Sequence, residues 1–190
     1  LQKAKRKIRE LTYNFDVDGY VAPDLTILND IVTKSGINEM AYQQEPDSIL
    51  WCVRDDGVFV GLTYQRAENV TAWHQHKLGG TFGAGDSATG YGVVESVASI
   101  SGELTEDELY VIVKRTINGA TKRYVECFAP FDFDETASTD FKFLDSHLIY
   151  SGSSTTTLSG LSHLEGQVVS ILADGSTHAD KTVSSGSITL

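Results

Sequence analysis

The stretch ILWCVRDDGVFVGLTYQRAENVTAWHQHKL, Ile49 to Leu78, decides the fold. It holds three short apolar runs, Ile49 to Arg54, Val58 to Gln65 and Val70 to Lys77, parted by Asp56-Gly57 and by Ala67-Glu68-Asn69. Runs of this length between turn residues predict a three-stranded antiparallel meander. Asp-Gly between alternating hydrophobics predicts a two-residue type I′ turn, which needs positive φ at both central positions. Val58, Val60, Leu62 and Tyr64 fall on one face of the middle strand, whereas Val70, Ala72, Gln75 and His76 follow alternation only in part. Ile37 to Gln43 adds a strand before the meander, broken off by Glu45-Pro46-Asp47. The expectation is a run of consecutive antiparallel strands about the size of one propeller blade.

Upstream, Leu11, Tyr13, Phe15 and Val17 alternate with polar residues as a strand does, and Asp16-Val17-Asp18-Gly19 closes it as a turn. That turn has the look of a calcium loop but lacks the third Asp and the distal Glu. Apolar residues at 25, 28, 31 and 32 have helical spacing, Asp24 stands at the favoured acidic start, and Lys34-Ser35-Gly36 supplies a stop. The spacing predicts one short helix over Leu25 to Lys34.

Downstream, Gly79 to Gly92 is glycine-rich and reads as a flexible surface loop, because it has neither the spacing nor the Lys-Ser/Thr of a phosphate cradle. A second unit then repeats the layout of the first. Val93 to Ile100 is a strand, Gly102 to Glu108 an acidic turn, Leu109 to Thr116 a strand, Asn118-Gly119 a type I′ turn and Lys122 to Phe128 the return. Trp51 and Tyr110, 59 residues apart, occupy comparable places in the two units. This weak repeat suggests two blades of one stack, completed either by further sequence or by a less regular sandwich. The acidic connection from Pro130 to Asp140 is the expected domain boundary. Beyond it, residues 141–190 lose Arg, gain Ser, Thr and Gly, and carry a third hairpin signal at Asp174-Gly175. The expected organisation is therefore an N-terminal strand and helix (1–36), an antiparallel β domain of two blade-like units (37–140) and a small β-barrel-like module (141–190). The fold class is mainly all-β. The strand-like SGSITL that ends at Leu190, and Leu at position 1, lead us to expect a fragment of a longer protein.

At 190 residues and 41% hydrophobic content the chain belongs with globular proteins. Its formal net charge of −11 argues against a phosphate-gripping surface, which requires clustered cations. Lys3 to Arg9 holds a third of the positive charge and reads as a solvated terminal segment rather than a nucleic-acid arm. No run approaches the length of a membrane span. Cys52 and Cys127 each lie inside a predicted strand and read as small buried hydrophobes of a reducing compartment.

Few residue groups invite chemistry. His74 and His76, two apart on a strand, project from one face as a metal pair does, but a third ligand is not evident. There is no Gly-x-Ser-x-Gly elbow. Asp132, Asp134 and Glu135 have the composition of an acid–base pair, yet their crowding in a connection reads as a solvated linker. Trp51, Tyr64, Trp73, Tyr110 and Tyr124 occupy strand positions suited to stacking sugars or bases, and equally to core packing. The expectation is no catalytic residue, no cofactor, no metal and no enzyme activity.

The segments Tyr20 to His76, Glu108 to Pro130, Phe143 to Gly152 and His163 to Leu190 closely resemble a family of bacteriophage and prophage tail structural proteins. Some members are named after a small β domain shared with the ubiquitin-activating enzyme, the first catalytic cysteine half-domain (FCCH). The most specific pieces are Glu45-Pro46-Asp47-Ser48-Ile49-Leu50-Trp51, Gly61-Leu62-Thr63-Tyr64, Ala72-Trp73-His74-Gln75-His76 and Leu164-Glu165-Gly166-Gln167. The glycine loop looks like an insertion in that pattern. The resemblance implies a virion tail protein of the nozzle or stabilisation type without chemistry of its own, assembled in the host bacterial cytoplasm. It further implies a homo-oligomeric ring that contacts other tail or portal proteins and binds no membrane and no specific nucleic acid. An acidic wall that lets DNA slide agrees with this. The alternative is a tail-associated glycan-binding or glycan-cleaving module using Trp51 or Trp73 with Asp132 or Asp134.

Overall fold

A computed structural model describes residues 2–102, 106–129 and 143–190. Among the described residues 49% are strand and 5% helical, which places the chain in the all-β class. It divides into two compact units. The first comprises residues 1–77, 94–112 and 125–132, and the second residues 78–93, 113–124 and 133–190.

The first unit is built on the predicted meander. β3 (Ile37–Gln43), β4 (Ile49–Arg54), β5 (Phe59–Gln65) and β6 (Val70–His76) form one antiparallel sheet in sequential order. The β4–β5 turn differs from the expected type I′. Only Gly57 has positive φ (78°), Gly57 N–H donates to Arg54 O (2.9 Å), and Arg54 N–H donates to Val58 O (3.1 Å). This is a three-residue loop in which a turn over Asp55-Asp56 is closed by a left-handed glycine. Asp56 selects it, because its carboxylate accepts from Val58 N–H and from Arg54.

Pairing puts Trp51, Gly61 and His74 in one row and Cys52, Val60 and Gln75 in the next, so successive rows face opposite sides. Val60, Leu62 and Tyr64 share one face of β5 as expected, and burial extends to the other face as well. Phe59, Val60 and Leu62 are all fully buried, as are Cys52 and Val53 in β4. Both faces are covered. Phe128 packs on Trp51 and Phe59 of one face, while Tyr64 and Trp73 on the other reach Glu10 and Leu25 O of the N-terminal segment. Strands buried on both faces read as continuous apolar runs, and that is how β4 and β5 read.

The N-terminal segment supplies the cover as turns, and the predicted helix over Leu25 to Lys34 is absent. Single i→i+3 bonds close successive turns: Asn29 N–H to Thr26 O, Val32 N–H to Asn29 O, Lys34 N–H to Ile31 O. Thr26, Ile27, Ile31, Val32 and Thr33 are β-branched, and Asn29 and Asp30 favour turns, so the stretch lacks helix propensity. The burial is inverted as well. Thr26 and Thr33 are fully buried, bonded to Asp24 and to Arg6 O, while Leu28 is 96% exposed. Leu11 to Val17 likewise form no single strand. β1 (Thr12–Asn14) and β2 (Gly19–Val21) pair across the predicted Asp16–Gly19 turn, with Asp18 left-handed. Lys3 to Arg9 is a solvated segment only in its side chains. Its backbone is anchored through Ile37 N–H to Lys5 O and Leu25 N–H to Ile8 O, with Ile8 buried.

β7 (Val93–Ser101), β8 (Asp107–Ile117) and β9 (Ala120–Cys127) make a three-stranded sheet. Asn118 (φ 50°) and Gly119 (φ 75°) join β8 to β9 with positive φ at both positions, as the sequence predicts. In the second unit, the glycine stretch is bonded back to β8 instead of hanging free. Thr116 N–H donates to Thr81 O (2.9 Å) and Gly83 N–H to Thr116 Oγ1 (3.0 Å). Its glycines make room for buried Arg115, which donates to Gly79 O (2.7 Å); a Cβ on Gly80 (φ 101°) would lie 2.7 Å from that side chain.

The rest of the second unit holds two small antiparallel pairs, β10 (Thr157–Ser159) with β13 (Ser187–Thr189) and β11 (Val168–Ala173) with β12 (Ser176–Thr182). Asp174 (φ 53°) and Gly175 (φ 74°) form the predicted hairpin turn. Leu161, Val183 and Ile188 make a core into which Leu158, Leu164, Val169 and Ile171 pack. These are separate open pairs, and no barrel closes among the described residues. No described helix is long and apolar enough to cross a membrane.

Candidate functional site

The histidine pair is the most concentrated chemistry in the described chain. β6 presents His74 and His76 on one face, as their two-residue spacing predicts, and the rings meet: His74 Nδ1 lies 2.7 Å from His76 Nε2. One imidazole donates and the other accepts. His74 Nε2 also lies 3.3 Å from Thr63 Oγ1, so both of its ring nitrogens have partners. The ring fits because residue 61 is glycine. A Cβ there would fall 2.1 Å from His74 Cε1. Trp51 stacks on Phe59 (4.9 Å, 5° between planes) and meets His74 edge-on at 5.4 Å. Trp51 Nε1 donates to Gln43 Oε1 (2.8 Å), which satisfies the one polar atom of a nearly buried indole. Among the described residues no three His, Cys, Asp or Glu side chains converge on a point where a metal would sit. The two rings pack edge-on, with centroids 5.0 Å apart.

The predicted stacking residues are not brought together. Trp51 is core. Tyr64 donates to Glu10 (2.7 Å), and burial together with that bond raises its phenol pKa. Tyr110 donates to Glu108 (2.7 Å), which pushes its pKa up to about 12. Tyr124 lies under the Arg115 guanidinium in the second unit, 5.6 Å from ring centroid to charge centre. Trp73 borders a cleft of about 330 Å³ lined by Asp24, Leu25, Ile27, Leu28, Asn29 and Thr71.

The cysteines separate. Cys52 is fully buried in β4 and burial pushes its thiol up to about 12, which removes any thiolate chemistry at neutral pH. Cys127 ends β9 exposed, contrary to the expected burial, and both thiols are free. Asp132, Asp134 and Glu135 lie outside the described residues.

Three groups carry structural chemistry that the sequence reading missed. Arg54, 5% exposed, donates to Asp56, Ser35 Oγ (2.8 Å) and Val32 O (2.9 Å), tying the turns to the sheet. Asp107 accepts from Gln44 and Glu45 N–H (2.8 and 3.2 Å), which holds its carboxyl below the usual range and fixes the turn before the cis Glu45–Pro46 bond. Glu165, inside one of the resemblance motifs, accepts from Ser185 and Gly186 N–H (2.9 and 2.7 Å) and caps the last hairpin. An Arg in an apolar run beside Asp-Asp is a legible hint of the first; the others depend on residues far apart in sequence.

The N-terminal 36 residues hold the feature that packing leaves unexplained. Leu11, Phe15, Val17 and Tyr20 of the β1–β2 hairpin and Ile27, Leu28 and Ile31 of the turns are exposed. Tyr13 packs edge-on against Phe15 (5.0 Å) and Tyr20 (5.6 Å), so the aromatics form one cluster facing solvent. Exposed apolar clusters of this kind are candidate interaction surfaces. No protein-family model matches the chain, and a search of curated proteins returns no match.

Proposed function

We propose that this chain is a structural component of a phage or prophage tail, a nozzle- or tail-tube-associated ring protein that works by assembly and not by chemistry. The observation that carries the reading is the inverted use of side chains in the first unit. Residue types that do chemistry, His74, His76, Trp51, Cys52 and Arg54, are spent on packing, while large apolar residues at 11–31 face solvent. A protein arranged in this way offers surface for other proteins. The resemblance of its motifs to tail proteins supplies the setting, and the acidic balance suits a wall past which DNA slides. The partners are further copies and neighbouring tail or portal proteins, and the protein assembles in the bacterial cytoplasm before residing in the virion. Mass spectrometry of gradient-purified particles tests this: its peptides are expected at several copies per particle, and their absence from intact particles rejects it.

A specific observation favours a second reading, a glycan-binding tail module. Trp73 borders a cleft that also carries Asp24, Asn29 and Thr71, an aromatic face beside polar groups. Trp51 cannot take part because it is buried. Binding of host surface polysaccharide that Trp73→Ala abolishes would favour this reading over the first.

A further inference from the structure

We propose that the cleft beside Trp73 holds an uncharged sugar without cleaving it, with the indole as stacking platform and Asn29, Thr71 and Asp24 as partners of the ring hydroxyls. The proposal rests on the second reading above and specifies the ligand and the chemistry of its site. Trp73 Nε1 donates to Leu25 O (2.9 Å), which pins the indole to the segment that lines the cleft with it. Thr71 and Trp73 stand two apart on β6, an edge strand of its sheet, and so project from one face. The wall from Asp24 to Asn29 is held as well, since Leu25 N–H donates to Ile8 O (2.9 Å) and Asn29 N–H to Thr26 O (3.0 Å). A site formed before its ligand arrives keeps the ordering cost of binding low. Its volume of about 330 Å³ lies at the small end of the roughly 300–1,000 Å³ of ligand clefts, so it takes a short stretch of a glycan.

The polar groups select the ligand. Among the described residues the side chains of half-buried Asn29 and exposed Thr71 have no hydrogen-bond partner. An amide and a hydroxyl both donate and accept, as sugar hydroxyls do. Asp24 is the one charged side chain among the described residues that line the cleft. Its Oδ1 accepts from Thr26 N–H (2.8 Å) and Thr26 Oγ1 (2.5 Å), and its Oδ2 pairs with Lys7 (3.2 Å). An ionised carboxylate accepts about four hydrogen bonds, which leaves Oδ2 room for one more donor. An anionic sugar meets a like charge there. An apolar side chain strips water from Asn29, Thr71 and Asp24 and returns no hydrogen bond. An uncharged pyranose satisfies both conditions, its C–H face on the indole and its hydroxyls on the polar groups. Glycoside hydrolysis takes two carboxyl groups flanking the bond, and the described lining supplies one that is already tied to Thr26 and Lys7, so the ligand is bound and left intact.

Binding of the labelled 190-residue chain to an array of uncharged, sialylated and uronate-bearing glycans tests the proposal, followed by fluorescence titration with the oligosaccharides retained. Uncharged glycans alone are expected to bind, with dissociation constants on the order of 0.1–1 mM. Trp73→Ala is expected to weaken binding by about tenfold or more. Because that change also removes the bond to Leu25 O, Thr71→Val at an exposed position serves as the second variant; it is expected to weaken binding by about threefold to tenfold with circular dichroism unchanged. Binding confined to acidic glycans, binding untouched by both variants, or release of reducing sugar from a bound oligosaccharide overturns the proposal and leaves the glycan reading standing. No binding to any glycan overturns both.

Discussion

Cys52 and Cys127 show how one residue type takes two fates in adjacent β structure. Burial alone raises the Cys52 thiol to about 12, whereas Cys127 is exposed at the end of its strand. A disulfide reagent at pH 8 is expected to titrate one thiol in the native chain and two in denaturant, and Cys127→Ser is expected to abolish the native one; two reactive native thiols would contradict the burial. Gly61 is the other decisive residue. Adding a Cβ pushes His74 out of its place against Trp51, so Gly61→Ala is expected to destabilise the chain by about 1–3 kcal/mol. With His74→Ala in the background the same change is expected to cost far less, and that non-additivity, read from denaturant melts, is the signature of the contact. The sequence announced the histidine pair through its spacing. It did not announce Gly61, because a glycine in a strand explains itself only once its cross-strand neighbour is known.

At the scale of elements, the strands were legible and the helix was not. β3 to β6 follow from short apolar runs between turn residues, and Asn118-Gly119 and Asp174-Gly175 adopt the left-handed pair that their types favour. Asp56-Gly57 failed as a two-residue turn because the Asp56 carboxylate stabilises a longer loop by bonding Val58 N–H and Arg54. The helix failed for a different reason. Periodicity at 25, 28, 31 and 32 took no account of Thr26 and Thr33, whose hydroxyls bond Asp24 and Arg6 O and draw the backbone into turns. Leu28→Ser is accordingly expected to shift stability by less than about 0.5 kcal/mol. Thr33→Val is expected to cost about 1–2 kcal/mol by leaving Arg6 O without its donor. Thermal melts that reverse this order would restore the amphipathic helix.

For the whole molecule, acid is the natural probe of the long-range ties. Asp24, Asp56 and Asp107 all have depressed pKa values. For Asp24 the Thr26 hydroxyl is the main cause. At Asp56 burial opposes the shift but bonds from Arg54 and Ser35 outweigh it, and at Asp107 the Gln44 and Glu45 N–H groups lead. Their folded values lie below the unfolded value of about 3.9, so the stability they add is fully present above that pH and is lost as pH falls through the folded values. Melting temperature is expected to hold between about pH 7 and 5 and then drop below about pH 4; a flat profile to pH 2 would contradict the assignment. Short apolar runs between turn residues made the all-β class readable and composition made the acidic balance readable, whereas the exposed apolar side chains at 11–31 were not, since exposure is a property of what fails to pack against a residue. The most direct test of the account is immunogold electron microscopy of phage particles with antibody raised against this chain. Label at the tail or portal end is the predicted result, and intact particles that carry no label would contradict the tail assignment and put the Trp73 cleft and its glycan reading first.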